Sequence, residues 1–376
     1  MRIRAFVIGA LSLGSAAGAL ISVDAGCSSF ESTSDDTADG ATSGSSASGG
    51  SSSGASSSSS SGDTGNGVKV LAMDLAGPIG ITVDTTHVYW TNWSDGTIRR
   101  VDLDGANPLT MASGLNHPWA ITTNGVYLYF AAFMGDIYRC PTAACPMPLP
   151  STPHAPGWGA RALALSQDNL VWTRSVEAAV TYCPISTCDY GMNDFVATNQ
   201  GGPWAIAALP ADAVWTNIGS NDIVKCPYTG CPDGGAPALA TGLDRPVGIA
   251  VSGANVYWAE AGRGVIATCL LDNCLSPDLI AMGQDAPSAI AVDEANVYWT
   301  NAGTADGTGA VMWCAKASCK PQALGTKQDS PAALAIDADH VYVANRGRAT
   351  NGGNFGDGYG NGVYAGGSIV RYPKPK

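Results

Sequence analysis

Charge is scarce in this chain, and positive charge scarcer still. Charged residues make up 13% of 376 positions, with 19 Lys and Arg against 31 Asp and Glu. No basic run occurs beyond the N-terminus, and the net charge is −12. Binding to a phosphate backbone needs a basic face, which argues against nucleic acid as a partner. The acidic balance serves solubility. Histidine is rare: His87, His117, His154 and His340 are the four, and none lies beside a cysteine pair. The usual zinc sets are therefore missing, and no metal or other cofactor is expected. No Ser or Cys nucleophile motif accompanies His117 or His154. What is abundant is Gly (47), Pro (22) and Trp (10), which suits many short strands joined by turns and not a helical protein.

The N-terminus reads as an export signal. Met1-Arg2-Ile3-Arg4 is a short basic start, and Ala5 to Val23 is apolar and rich in small residues. Residues 1–26 are expected to be a signal peptide. Ala25-Gly26-Cys27 resembles the end of a bacterial lipobox, in which the Cys takes a lipid and becomes the first mature residue. Asp24 departs from that pattern, and ordinary cleavage after Ala25 is the alternative. Lipid on Cys27 would tie the protein to a membrane. Ser28 and Ser29 follow, and the absence of Asp after Cys27 implies the outer membrane or cell surface by the same resemblance. Residues 27–67 are otherwise Ser, Gly, Thr and Asp with almost nothing apolar, which is expected to be a disordered spacer. About 40 residues of such coil reach roughly 35 Å.

Residues 68–376 repeat. Seven similar runs begin at Pro78, Pro118, Ala160, Pro203, Pro246, Pro287 and Pro331, spaced by 40, 42, 43, 43, 41 and 44 residues. Each is followed by a second run such as Val88-Tyr89-Trp90 or Val256-Tyr257-Trp258. That period matches a four-stranded propeller blade. The expected fold is all-β, a seven-bladed β-propeller. Trp90, Trp172, Trp215, Trp258 and Trp299 share one register, which marks them as packing between blades. The final run, Gly367 to Pro373, matches a third strand, and residues 68–75 match a fourth. The first strand therefore completes the last blade and removes two open sheet edges.

Ten of the eleven cysteines form pairs five residues apart: Cys140 with Cys145, Cys183 with Cys188, Cys226 with Cys231, Cys269 with Cys274 and Cys314 with Cys319. Even numbers at regular spacing in an exported chain imply disulfides, each across the turn between third and fourth strands of blades two to six. Cys27 stands alone.

Val88-Tyr89-Trp90-Thr91-Asn92, Gly96 to Arg100, Leu103-Asp104-Gly105 and Pro78 to Asp84 together resemble the YWTD repeat of low-density-lipoprotein-receptor propellers, and also NHL-type repeats. Asn stands for the motif Asp at Asn92, Asn217 and Asn301. YWTD domains have six blades, against the seven counted here. The resemblance implies a fold, and such families mostly mediate binding.

Loops from fourth to first strands and from second to third strands share one face, where propellers commonly bind ligands. Trp93, Trp119, Trp158 and Trp204 fall near it, outside the repeated registers. They form either a stacking platform for a sugar or peptide, or a plug between blades. Alternation puts Trp119 and Trp204 on the face of Ile121 and Ile206, which favours packing. Arg161, Glu260 and Arg263 join them as candidate ligand contacts. Other charges on this face, such as Asp95, Asp136, Arg174, Glu177, Asp222 and Asp306, do not recur in register. Asp84, Asp293 and Asp337 do recur, as turn residues on the opposite face. Blade seven carries a Gly-rich insertion, 345–367, whose GGNFGD stretch only approaches a calcium-binding pattern. The reading is a monomeric, exported binding or scaffold module for protein or glycan, with no catalytic residue assigned. The alternative is a lyase or lactonase with a metal at the channel mouth. The seven strand starts offer no carboxylate to such a site: Ile79, Trp119, Arg161, Trp204, Val247, Ser288 and Ala332.

Overall fold

The computed structural model describes residues 21–22, 67–132, 135–149, 153–188, 194–231, 236–350 and 363–376. Seven antiparallel sheets succeed one another around a channel. Their inner strands are Pro78–Val83, Pro118–Thr123, Ala160–Leu165, Pro203–Ala208, Pro246–Ser252, Pro287–Val292 and Pro331–Ile336. Each packs against the next, and blade seven packs against blade one. Lys69–Leu75 pairs with Gly367–Pro373 in the register Lys69 to Arg371, Val70 to Val370 and Ala72 to Ile369, so the ring closes with strands from both ends of the domain. Ile21–Ser22 runs beside the inner strand of blade seven and touches most other inner strands, which places it in the channel.

Blade two departs from the four-strand expectation. Among the described residues it has Pro118–Thr123, Tyr127–Ala132 and Ile137–Pro141 only. The chain that follows carries Pro146, Pro148, Pro150, Pro153 and Pro156. Proline has no N–H to give a ladder. A single bridge from Ile137 to Ala155 replaces the strand.

The core lies between blades. Trp90, Trp172, Trp215, Trp258 and Trp299 are buried, and each stands opposite an inner-strand aliphatic: Ile81, Leu163, Ile206, Ile249 and Ile290. Each inner strand starts with a β-bulge, seen as a register slip after its first residue. A threonine from the second strand repairs it. Thr216 Oγ1 accepts from Ala205 N at 3.1 Å and donates to Val247 O of the next blade at 3.0 Å. Thr91 and Thr173 do the same for Gly80 with Trp119 O, and for Ala162 with Trp204 O. One hydroxyl thus satisfies a bulged N–H and ties two blades together. Thr216→Val keeps the shape and orphans both groups. It is expected to cost about 1–3 kcal/mol in denaturant unfolding, with Thr216→Ser near neutral. Equal stability of the Val and Ser variants would remove the hydroxyl's role.

The lower face repeats as well. Asp84, Asp293 and Asp337 each accept two backbone N–H bonds and a tyrosine hydroxyl, from Tyr89, Tyr298 and Tyr342 at 2.7–3.0 Å. Burial, together with the neighbouring carboxylate, pushes these phenols well above their usual range.

All five expected disulfides are formed. Cys140 is bonded to Cys145, Cys183 to Cys188, Cys226 to Cys231, Cys269 to Cys274 and Cys314 to Cys319, with Cα atoms 4.9–5.3 Å apart. The first cysteine of each pair stands on the third strand of its blade. The second does not hold one position. Cys274 lies in the fourth strand of blade five, whereas Cys145, Cys188, Cys231 and Cys319 lie in the turn or the chain just beyond it. In blades one and seven, buried Val101 and Tyr372 stand where the first cysteine would be.

Candidate functional site at the channel mouth

The residue before every inner strand has positive φ: Gly77 (69°), His117 (51°), Gly159 (70°), Gly202 (71°), Arg245 (52°), Ala286 (51°) and Ser330 (53°). Glycine fits that conformation without a Cβ penalty. His117 and Arg245 bring functional side chains to it instead. The bulge then turns the second residue of each inner strand, and at this position blades two, three and four carry Trp119, Arg161 and Trp204.

These side chains form a line across four blades. The Trp93 ring lies 4.4 Å from His117 and 5.0 Å, edge-on, from Trp119. Arg161 Cζ sits 3.9 Å from the Trp119 ring centroid and 3.3 Å from that of Trp204. The guanidinium is therefore sandwiched between two indoles. Desolvated contacts of this kind are worth about 2 kcal/mol. Exposure sorts the aromatics: Trp119 is 2%, Trp204 4% and Trp93 7% exposed, whereas Trp158 is 51% exposed. Three of the four expected platform residues are thus packed into the wall, and Trp158 faces solvent.

Alternation along the strand had put Trp119 with Ile121 and Trp204 with Ile206. The structure parts them. Trp119 packs with Ala160, Leu163 and Trp172 of blade three, while Ile121 packs with Tyr89 and Ile98 of blade one. Trp204 joins Val247 and Ile249 of blade five, while Ile206 joins Ala162 and Val171 of blade three. The bulge between them reverses the pleat.

Glu260 and Arg263 are engaged within blade five. Glu260 accepts from Trp258 Nε1 at 3.1 Å, Asp244 N at 2.9 Å and Arg263 Nε at 2.7 Å. The other blades explain why. Asn217 and Asn301 stand in the same register as Glu260. Their amides donate to Gln200 and Gln284, whose Oε1 atoms also accept from Trp215 and Trp299. A carboxylate could not donate there, which accounts for Asn replacing the motif Asp. In blade five Glu260 takes over the acceptor role of the Gln.

The base of the blade-seven insertion leans on the same line. Arg348–Ala349 pairs with Tyr364–Ala365, and Tyr364 and Ala349 pack in one cluster with Trp93 and Trp119. Tyr364 N donates to Ser94 Oγ at 3.1 Å across the ring seam. Arg346 Cζ lies 4.5 Å from the Tyr364 ring, and burial lowers the pKa of this guanidinium. The GGNFGD stretch lies outside the described residues. Sequence reasoning kept the tryptophans and the insertion apart. It also passed over Arg245 and Arg346, whose only signal was a non-glycine flanking a strand end.

Fold and mouth together define a seven-bladed propeller of YWTD-like repeats, with an aromatic and arginine line at one end of its channel. The model of the low-density lipoprotein receptor repeat class B family matches residues 86–122. No curated protein matches. Among solved structures, a streptogramin B lyase is 14% identical, with 81% of this chain and 96% of that one covered, at a TM-score of 0.61. A catalytically inactive virginiamycin B lyase from Staphylococcus aureus with quinupristin is 13% identical, with 83% and 97% covered, also at 0.61. A computationally designed protein, Ika8, gives 14% identity, 81% and 98% coverage, and a TM-score of 0.51. At these identities the likeness is one of fold.

Proposed function

We propose that this protein is an exported lipoprotein whose propeller head captures a protein or glycan ligand at the channel mouth. The observation that carries the reading is the line from His117 through Trp93, Trp119 and Arg161 to Trp204, whose indoles and guanidinium are packed into the wall of the mouth, together with Trp158, which is exposed just before the inner strand of blade three. Recurring features of the ring are structural, whereas among the described residues this line does not recur in the other blades. The export reading supplies its access. Ile21–Ser22 occupies the channel, and removal of residues 1–26 on maturation vacates that place. Lipid on Cys27 and the Ser/Gly spacer then hold the head off an outer-membrane surface, as a monomer.

Two measurements test this. Intact mass of the mature protein is expected to show a lipidated Cys27, and an unmodified Gly26 start would overturn the tether. Binding of the full-length protein to a panel of glycans and surface proteins is expected to weaken with Trp158→Ala and to persist with Glu294→Gln on the opposite face. Equal binding by both variants would move the site elsewhere.

The enzyme alternative is supported by likeness of fold to lyase propellers. Among the described residues, no three His, Cys, Asp or Glu side chains come together as a metal-holding group. Stoichiometric Ca²⁺ or Zn²⁺ in the purified protein would favour this alternative.

A further inference from the structure

We infer that the channel of the exported protein receives an uncharged, extended end of a partner polypeptide, paired strand to strand with Pro331–Ile336 of blade seven. This rests on the binding-module reading and names its ligand as protein. The observation that carries it is a strand seated in that place. Ile21–Ser22 pairs antiparallel with the inner strand of blade seven, Ile21 opposite Leu334 and Ser22 opposite Ala333. It also comes within reach of the inner strands of blades one, three, four, five and six. The channel therefore has room for a polypeptide backbone, and one of its walls forms a ladder with it.

The topology supplies the reason. Each inner strand is the terminal strand of its own blade, so one edge of its backbone has no neighbour within that blade. In blades one to six this edge has no strand partner among the described residues, and in blade seven it has Ile21–Ser22. An edge of this kind is a template for a further strand. A polypeptide matches it, because its N–H and C=O groups recur at the rise of a strand, about 3.4 Å per residue. A sugar chain carries no such row of paired donors and acceptors. Removal of residues 1–26 on export would bare the blade-seven edge and make it available to a partner.

The walls select the chemistry. The seven inner strands carry a single charged residue, Arg161, and its guanidinium is held between Trp119 and Trp204. A charged side chain entering the channel would find no partner on these strands, and burying a charge unpaired is costly. Blade seven also sets small residues along the receiving strand, Ala332, Ala333 and Ala335. Each inner strand packs against the next, and Lys69–Leu75 closes the ring. A segment therefore reaches the channel along its axis, by a free end.

The test uses the exported protein purified in detergent, with its N-terminus fixed by intact mass, and a synthetic peptide of residues 16–23 blocked at both ends. In calorimetric titration this peptide is expected to bind at least about tenfold more tightly than the same peptide N-methylated at Ile21 and Ser22, which cannot donate to the edge. Ile21→Lys in the peptide is expected to weaken binding by about tenfold as well. A benzophenone placed at the Ser22 position is expected to cross-link within residues 331–336. Equal affinity of the N-methylated or the Lys peptide, or cross-links confined to outer strands such as Asn273–Ala281, overturns the inference. A purified protein that keeps residues 21–22 has its channel filled and overturns it together with the export reading. Failure of the peptide to bind also overturns it. If glycans or surface proteins still bind, the binding-module reading stands, and if the folded protein binds none of them, both fall.

Discussion

Deletion of residues 68–75 is expected to yield an aggregating, protease-sensitive protein with no cooperative melting transition. Lys69–Leu75 supplies the outer strand of blade seven, and Leu71, Ala72 and Leu75 are buried there with Ile81, Trp90 and Ile369. Loss of one buried leucine side chain costs about 2–5 kcal/mol. Two such losses approach the whole stability of a typical domain, about 5–15 kcal/mol. The deletion also bares the Gly367–Pro373 edge, an open template for pairing with a second chain. A repeat ring has no other way to satisfy that edge, because every other blade is built from one continuous stretch. Leu71→Ala separates the two effects: it is expected to lower stability by about 2–5 kcal/mol while remaining monomeric. A deletion variant with unchanged melting would refute the closing role.

Gly248→Val is expected to lower stability by about 3 kcal/mol or more, the upper end of what overpacking costs. A Cβ at Gly248 would stand 2.4 Å from Ser288 O, a backbone atom of the neighbouring blade, and 3.1 Å from Ile290 Cγ2. Gly80 meets Trp119 O at the same 2.4 Å. The other blades hold alanine in this register: Ala120, Ala162, Ala205, Ala289 and Ala333. Alanine is thus the largest side chain the seam admits. Gly248→Ala puts the same Cβ against that backbone oxygen and is expected to destabilise as well, by less than Gly248→Val because it adds no γ-methyl groups. If denaturant unfolding shows Val and Ala equally tolerated, the blades are not held this closely.

The repeat architecture was legible because each blade solves the same packing problem with the same residues. A tryptophan opposite an aliphatic, an aspartate in the lower turn, a threonine beside the bulge and a cysteine pair across the outer turn all recur at one period. Blade two shows the limit of that inference. Its run of prolines was visible, yet the period promised a fourth strand that proline's missing N–H withholds. Glu260 shows a second limit. It looked like a site residue because it did not recur. Its register shows that it replaces an Asn and Gln pair whose task is to hold the blade's tryptophan, here Trp258.

The mouth was less legible. Trp119 and Trp204 sit in strands whose alternation assigned them to the wrong neighbours. One bulged residue turns a side chain to the other face, and no residue type announces a bulge when its N–H is repaired by a threonine on the next strand. The sandwich of Arg161 joins three residues about forty apart in the chain, and only ring closure sets them in line.

Local pattern by itself determined the number of blades, their order, the closing strand and the disulfides, since each depends on contacts within one period or between matching ends. Tertiary structure decided what the mouth is. Which indoles are packed and which is exposed, and that Arg161 is clamped between two rings, depend on how neighbouring blades approach. That approach is governed by seams one methyl group wide.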